Sequence, residues 1–199
     1  MVPRKYLDKL TGVIKNALGE RLRAVYLTGS AAVGAYVPGT SDIDVLVAVD
    51  RAERAALERL AQDAAHGALP CPARKLELVV YQLATLAKPG ERPRWSLNLN
   101  TGEHEHHVGF DPDLEPAHWF VLDLAFAPRH AQALVGPPPS ELIADPAEDA
   151  IGRAFEAMVA WYEMHEPEHA EVARKRARHW HATHTFMAKP GLPSDHTPP

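Results

Sequence analysis

Leu7, Leu10, Val13, Ile14 and Leu18 recur three and four residues apart and Gly19 follows them, which predicts an amphipathic helix ending there. Ala24-Val25-Tyr26-Leu27 is an apolar run of strand length, broken by Gly29-Ser30. One or two helical turns are expected over 31–36, and Val37-Pro38-Gly39-Thr40 reads as a turn. Asp42 to Val49, rich in Val and Ile, predicts a second strand. Asp50, with Glu53 three residues on, is placed to form a capping box for a helix through Leu57, Leu60 and Ala64 that stops near Gly67. Lys75 to Leu83 predicts a third strand. Strands alternating with helices over short joints argue an α+β or α/β mixed sheet with helices packed on it.

The second half is less regular. The polar stretch from Pro89 to Asp113, with Asn98, Asn100, Gly102 and Gly109, reads as a long functional loop. Glu115-Pro116 opens a helix with Trp119, Leu122 and Phe126 on one face, and Gly136-Pro137-Pro138-Pro139 reads as a linker. Beyond it Ile151, Ala154, Phe155, Met158, Val159 and Tyr162 mark a helix, and Glu168 to about Met187 one more. The organisation expected is therefore a main domain over 1–135, a Pro-rich joint over 136–147, a small C-terminal helical region over 148–188 and a disordered tail over 189–199, where four prolines fall in eleven residues.

Composition narrows the class. A chain of 199 residues, 46% of them hydrophobic, suits one globular domain with a small appendage and excludes a disordered or fibrous chain. Cys71 is the only cysteine, so there is no disulfide framework and no cysteine-based zinc site, and a reducing, cytoplasmic setting is expected. No apolar run approaches the roughly 18–20 residues of a membrane span, and the start of the chain has no apolar signal region. The net charge of −5 argues against tight non-specific binding of nucleic acid.

The chemistry is concentrated in Gly29-Ser30-Ala31-Ala32-Val33-Gly34 and Ser41-Asp42-Ile43-Asp44-Val45-Leu46-Val47. Asp42 and Asp44 stand two apart on a predicted strand, so both carboxylates project from one face. Two carboxylates held together repel unless a cation lies between them, and Mg²⁺ prefers such oxygen ligands. Asp44 sits within an apolar strand, where an unpaired carboxylate is costly. The Gly29-Ser30 turn leaves backbone N–H groups free and lets a phosphate approach closely. Either half alone has an ordinary structural explanation, a turn or a cap; together they form the phosphate cradle and metal pair that nucleotidyl transfer requires.

Gly-Ser followed a dozen residues later by Ser-Asp-X-Asp and aliphatics resembles the signature of the polymerase-β-like nucleotidyltransferase superfamily. The blocks Lys75-Leu76-Glu77-Leu78-Val79-Val80, Asn98-Leu99-Asn100, His118-Trp119-Phe120-Val121-Leu122-Asp123 and Ala133-Leu134-Val135-Gly136-Pro137 resemble the adenylyltransferases acting on streptomycin and spectinomycin, over about Tyr6 to Trp161. The resemblance implies a nucleotidyltransferase-type sheet and transfer of AMP from ATP to a hydroxyl of an aminoglycoside or aminocyclitol, with Mg²⁺ held by Asp42 and Asp44. It implies that Glu77 is the general base and that Gly29, Ser30 and Ser41 contact phosphate oxygens. Glu77 has a second reading, as a sheet residue paired to Lys75 or Arg74.

For the polycationic acceptor the resemblance points to an aromatic and acidic residues, matched by Trp161 and, over a looser alignment, Glu168 and Glu171; Trp161 is equally explained as core, and the acids as a solvated face. Lys189 matches a lysine that reaches the triphosphate, and Arg174, Lys175, Arg176 and Arg178 form another positive cluster nearby. Family character thins after about Val172, and a shortened or shifted end would remove part of the ATP and drug clamp. An apolar face left open by a short helical region would be covered by a second copy, giving a homodimer. His104, His106 and His107, and His179, His181 and His184, are read as surface or capping residues rather than a zinc site. Two rival readings are a protein-adenylylating antitoxin-type enzyme, against which the appendage speaks, and a shortened non-catalytic nucleotide-binding relative, against which Asp42, Asp44 and Glu77 speak.

Overall fold

The computed structural model describes residues 2–187. Lys189 and the expected tail over 189–199 lie outside the described residues. In chain order the elements are α1 (Arg4–Leu18), β1 (Leu22–Thr28), α2 (Gly29–Ala32), β2 (Ile43–Val49), α3 (Arg54–Asp63), β3 (Lys75–Gln82), α4 (Leu83–Ala87), β4 (Trp95–Gly102), β5 (His106–Gly109), α5 (Ala117–His130), β6 (Gln132–Val135), α6 (Pro139–Leu142), α7 (Glu148–His165) and α8 (Ala170–Thr183).

The strands form one mixed sheet in the order β5-β4-β3-β2-β1-β6. Only β2 and β3 run parallel, joined through α3; every other pair is antiparallel. This is the α+β mixed sheet that the periodicity predicts. One face is apolar but for Thr101 of β4. Val25 and Leu27 of β1, the odd-numbered Ile43–Val49 positions of β2, Leu76, Leu78 and Val80 of β3, and Leu97 and Leu99 of β4 pack there against α1 and α3. The helices answer with Leu7, Leu10 and Ile14 of α1 and Leu57 and Leu60 of α3, at the three- and four-residue spacing that builds one helical stripe. The opposite face carries Ala24, Tyr26, Leu46, Ala48 and Tyr81, covered by Phe120, Leu124 and Ala127 of α5, Leu86 of α4 and Ile143 after α6.

The joint over 136–147 is not bare linker: α6 lies within it, and Ala144 donates its N–H to the Leu86 carbonyl at 2.9 Å. At its head Gly136 has φ +88°, and a Cβ there would stand 2.3 Å from the Arg23 carbonyl of β1, so only glycine lets β6 end this close to its neighbour. α5 is buried on two sides. Away from the sheet, Val121, Leu122 and Ala125 pack with Ile151, Phe155 and Met158 of α7 and Ala173, Ala177 and Trp180 of α8.

Two expectations are corrected. The stretch from Pro89 to Asp113 contains the β4–β5 hairpin rather than one long loop. Its alternation is that of a strand: Leu97, Leu99 and Thr101 point into the core, while Asn98 and Asn100 point to the other face. Those asparagines disguise the pattern because Asn is depleted in strands; here Asn98 donates to Glu115 Oε2 at 2.7 Å and Asn100 donates to Asn98 at 3.2 Å. The capping box is also absent. α3 begins at Arg54 with no side-chain cap. Asp50 pairs with Arg23, and Glu53 with Arg21 at 2.6 Å, so both acids hold neighbouring strands and joints together. No helix among the described residues is long and apolar enough to cross a membrane.

Candidate active site

The register of the sheet lines up one polar row. Thr28 of β1 stands opposite Asp44 of β2, Asp44 opposite Glu77 of β3, Glu77 opposite Asn100 of β4, and Asn100 opposite His107 of β5. All five belong to the face that α5 covers, one step beyond the apolar row Tyr26, Leu46 and Val79. The carboxylates thus stand where the apolar packing under α5 ends. The same alternation buries Leu76, Leu78 and Val80 on the far side, so Glu77 has no freedom to change faces.

Gly29 closes one wall. It has φ +61°, and a Cβ built on it would fall 1.9 Å from Asp44 Oδ2. The backbone at the head of α2 therefore rests directly against the Asp44 carboxylate, an approach only glycine permits. Ser30 follows in the first turn of α2, and its carbonyl accepts from Ala35 N–H at 2.9 Å. Ser41 is buried, and its Oγ accepts the Val37 N–H at 2.9 Å, which ties the 37–41 turn shut just before the acidic pair.

Asp42 lies at the foot of β2, with both oxygens taken by Arg74: Nε donates to Oδ1 at 2.8 Å and Nη2 to Oδ2 at 2.6 Å. Lys75 Nζ meets Glu77 Oε1 at 2.8 Å and Glu105 Oε1 at 3.0 Å, linking the β4–β5 turn to the row. The pairing of Glu77 to Lys75 anticipated from the sequence is present, beside its contact with Asp44's strand. Asp44 has neither cation. Burial pushes its carboxyl well above the usual range, and the charges of Glu77, Asp123 and Asp42 push it the same way.

Asp123 is the site residue that sequence reasoning did not assign. It projects from α5 and its side chain is exposed, in a neighbourhood dense in protein atoms. Burial first and the Glu77 charge second push its carboxyl up to about 7. Its signal in the sequence is an acid inside the otherwise apolar Val121-Leu122-Asp123-Leu124-Ala125 run of a helix buried on two sides.

With Arg74 on Asp42 and Lys75 on Glu77, four carboxylates face two cations, which leaves an acidic, oxygen-lined site. That donor set fits a hard divalent cation, with Asp44 and Asp42 as the ligands it offers. Among the described residues no three His, Cys, Asp or Glu side chains are already gathered into a metal cage.

The helical region borders this site through the C-terminal end of α7. Burial raises the Tyr162 phenol first, Arg176 lowers it, and weaker effects reach it from Glu166, Glu77 and Arg74, which puts Tyr162 within the field of the row. Trp161 is half-buried in an aromatic cluster: its ring lies 5.4 Å from Trp119, 5.3 Å from Tyr162 and 4.8 Å from His165, the last stacked. Glu171 spends its carboxylate on Arg174 and Arg178 along α8, at 3.2 and 3.1 Å. Glu168 is exposed in the turn before α8. Among the described residues no hydrogen bond or ion pair joins either acid to the row. The histidines take separate places: His107 donates to Glu115 at 2.9 Å, His179 bonds Thr185 at 3.0 Å, and His184 ends α8 in the left-handed conformation.

Comparison with known proteins gives a family match and a match of fold. Residues 10–86, which run from within α1 through most of α4 and include Gly29, Ser30, Ser41, Asp42, Asp44 and Glu77, match the family model described as a nucleotidyltransferase domain. Among solved structures, the spectinomycin adenyltransferase AAD(9) from Enterococcus faecialis, crystallised with ATP and spectinomycin, superposes with a TM-score of 0.68 at 17% sequence identity. The match covers 92% of this chain and 78% of that one. No curated protein matches the sequence. The match to the nucleotidyltransferase model is confined to the first part of the chain, and the likeness to the adenyltransferase structure is one of fold.

Proposed function

We propose that this nucleotidyltransferase uses ATP and Mg²⁺ to adenylylate a hydroxyl of a small polycationic acceptor, an aminoglycoside or aminocyclitol, and releases pyrophosphate. The observation that carries the reading is the registered Asp44–Glu77 pair, set against the Gly29 backbone and within the field of Asp123. Asp42 and Asp44 would hold the metal, which would supply charge neutralisation on the triphosphate. The backbone at Gly29 and Ser30 would take phosphate oxygens, while Ser41 keeps the loop that presents them closed. The contribution expected of Lys189 is part of the same proposal.

Lys75 holds Glu77 by Oε1, and the Glu77 carboxylate would accept the proton of the acceptor hydroxyl. The freed oxygen attacks the α-phosphorus in line, a new P–O bond forms, and the bond to the β-phosphate oxygen breaks. Such general-base help is worth about 10²–10⁴-fold. The surplus acid of the row, with Asp123, attracts an acceptor rich in ammonium groups, and the Trp161–Tyr162 cluster at the end of α7 offers it flat faces. Glu168 and Glu171 would add charge at the rim of that site, Glu171 only by releasing its arginines.

The test is pyrophosphate release from Mg-ATP across a panel of streptomycin, spectinomycin, other aminoglycosides and no acceptor. The expected outcome is release with one member only, falling by about 10³-fold or more in Asp44→Asn, as loss of several kcal/mol of transition-state charge stabilisation implies. Near-normal turnover in Asp44→Asn would sink the assignment of the metal site.

A further inference from the structure

Two cations arrive on consecutive residues at the head of β3, and the structure treats them differently. Lys75 is largely buried, 13% exposed, and is shared between Glu77 and Glu105, so it is locked into the fold. Arg74 is 57% exposed while the Asp42 side chain beneath it is 17% exposed. The guanidinium therefore lies over Asp42 from the solvent side, held by its two hydrogen bonds at 2.8 and 2.6 Å. Its backbone does not depend on that contact: Arg74 N–H donates to the Ser41 carbonyl at 3.2 Å and keeps the head of β3 beside β2. The head group can leave without disturbing the strand.

A forked guanidinium on both oxygens of a carboxylate occupies the positions that a divalent cation would use. One positive group beside a doubly charged ion on the same carboxylate is also repelled by it. Asp42 thus has two competing occupants. The group displaced would be an arginine at the mouth of a site for a triphosphate, and the same planar fork that fits a carboxylate fits phosphate oxygens.

We propose that Arg74 is an exchangeable counter-ion. It neutralises Asp42 in the free protein, yields both oxygens to the divalent cation, and turns its guanidinium to the phosphate oxygens of the incoming nucleotide. This rests on the metal-dependent nucleotidyl transfer proposed above. Arg74 is a positioning residue in this scheme, and it couples metal arrival to nucleotide arrival: either ligand removes a partner that opposes the other.

The probe is Mn²⁺, titrated calorimetrically without nucleotide into the full-length protein and its Arg74→Gln, Arg74→Lys and Asp44→Asn variants, with thermal melts in EDTA to confirm folding. The expected result is Mn²⁺ binding about tenfold tighter or more in Arg74→Gln, and an intermediate gain in Arg74→Lys, whose ammonium cannot fork across both oxygens. ATP titrated in EDTA should bind about tenfold more weakly to Arg74→Gln than to the unsubstituted protein. Unchanged or weaker Mn²⁺ affinity in Arg74→Gln overturns the exchange and makes Arg74 a fixed prop for Asp42. If Arg74→Gln does not fold, Arg74→Lys decides: unchanged affinity there overturns the proposal equally. Absence of saturable Mn²⁺ binding in every protein, with Asp44→Asn no different, overturns the metal-dependent reading itself.

Discussion

The two faces of the central sheet are built from the same strands and do different work. In β3 the contrast is compressed into consecutive residues. Leu76, Leu78 and Val80 are wholly buried beneath α1 and α3, while Glu77, Val79 and Tyr81 turn to α5. The first face is apolar throughout β3 and nearly so across the sheet, Thr101 of β4 being its buried exception. The second is apolar beneath α5 and becomes acidic where that cover ends. Since side chains alternate strictly along a strand, a slip by one residue would put Glu77 into the core and Leu78 into the site. The apolar face thus fixes the position of the acidic one. The acids stand at the edge of the apolar cluster, where burial raises the carboxyl of Asp44 and water and ligands still reach the row.

Replacing Glu77 by Gln alters the acidic face and leaves the apolar face intact, and it should have the largest effect. Turnover should fall by about 10²–10⁴-fold, with the ATP dissociation constant changed by no more than a few-fold. Steady-state kinetics beside an equilibrium ATP titration measures both. Equal losses in turnover and ATP binding would recast Glu77 as a metal ligand or a structural partner of Lys75.

Leu78→Ala is the converse experiment, one residue away on the other face. Truncating a wholly buried leucine should cost about 2–5 kcal/mol of stability by urea denaturation. The molecules that remain folded should keep turnover within a few-fold, because the Asp44–Glu77 register is held by the strand as a whole. A loss of turnover as large as that of Glu77→Gln, in folded protein, would mean that the two faces are not separable.

The same division explains what could be read from the sequence. The strands β1, β2 and β3 announce themselves through Val, Ile and Leu runs, and Asp44 stands out as an acid within such a run, with Asp42 just before it. The β4–β5 hairpin was hidden because its reacting face is polar: Asn98 and Asn100 suit a row beside Glu77 and Glu115, and they look like a loop to a propensity rule. Asp123 was hidden for another reason. Its role depends on how α5 crosses the sheet, and no spacing within Val121-Leu122-Asp123-Leu124 encodes that crossing. Arg74 and Lys75 were visible as cations near Glu77, but which carboxylate each would take follows from the β2–β3 register. The aromatic cluster around Trp161 needs the packing of α7 on α5, so its residues were legible as a helix face and not as neighbours of a site.

His118 offers an effect confined to acid pH, absent at neutrality, and tests the face that α5 covers. It stands in the first turn of α5, 8% exposed, with its Nε2 buried and without a hydrogen-bond partner. Burial pulls its pKa down to about 4 from an ordinary value of 6.5, because the packed site has nothing to offset the charge of an imidazolium. Above pH 6.5 the ring is neutral in folded and unfolded chains alike, and it contributes no pH dependence. Between pH 6.5 and 4 the unfolded chain takes up a proton that the folded one refuses, so stability falls as pH falls through that window. The loss approaches about 3 kcal/mol near pH 4 and then levels off. Urea denaturation at several pH values in this range, on the unsubstituted protein and on His118→Gln, isolates the contribution as the difference between the two curves. A difference that does not change with pH would mean that the ring is charged inside the fold, with the end of α5 more open to water than its packing against Trp119 at 4.4 Å allows.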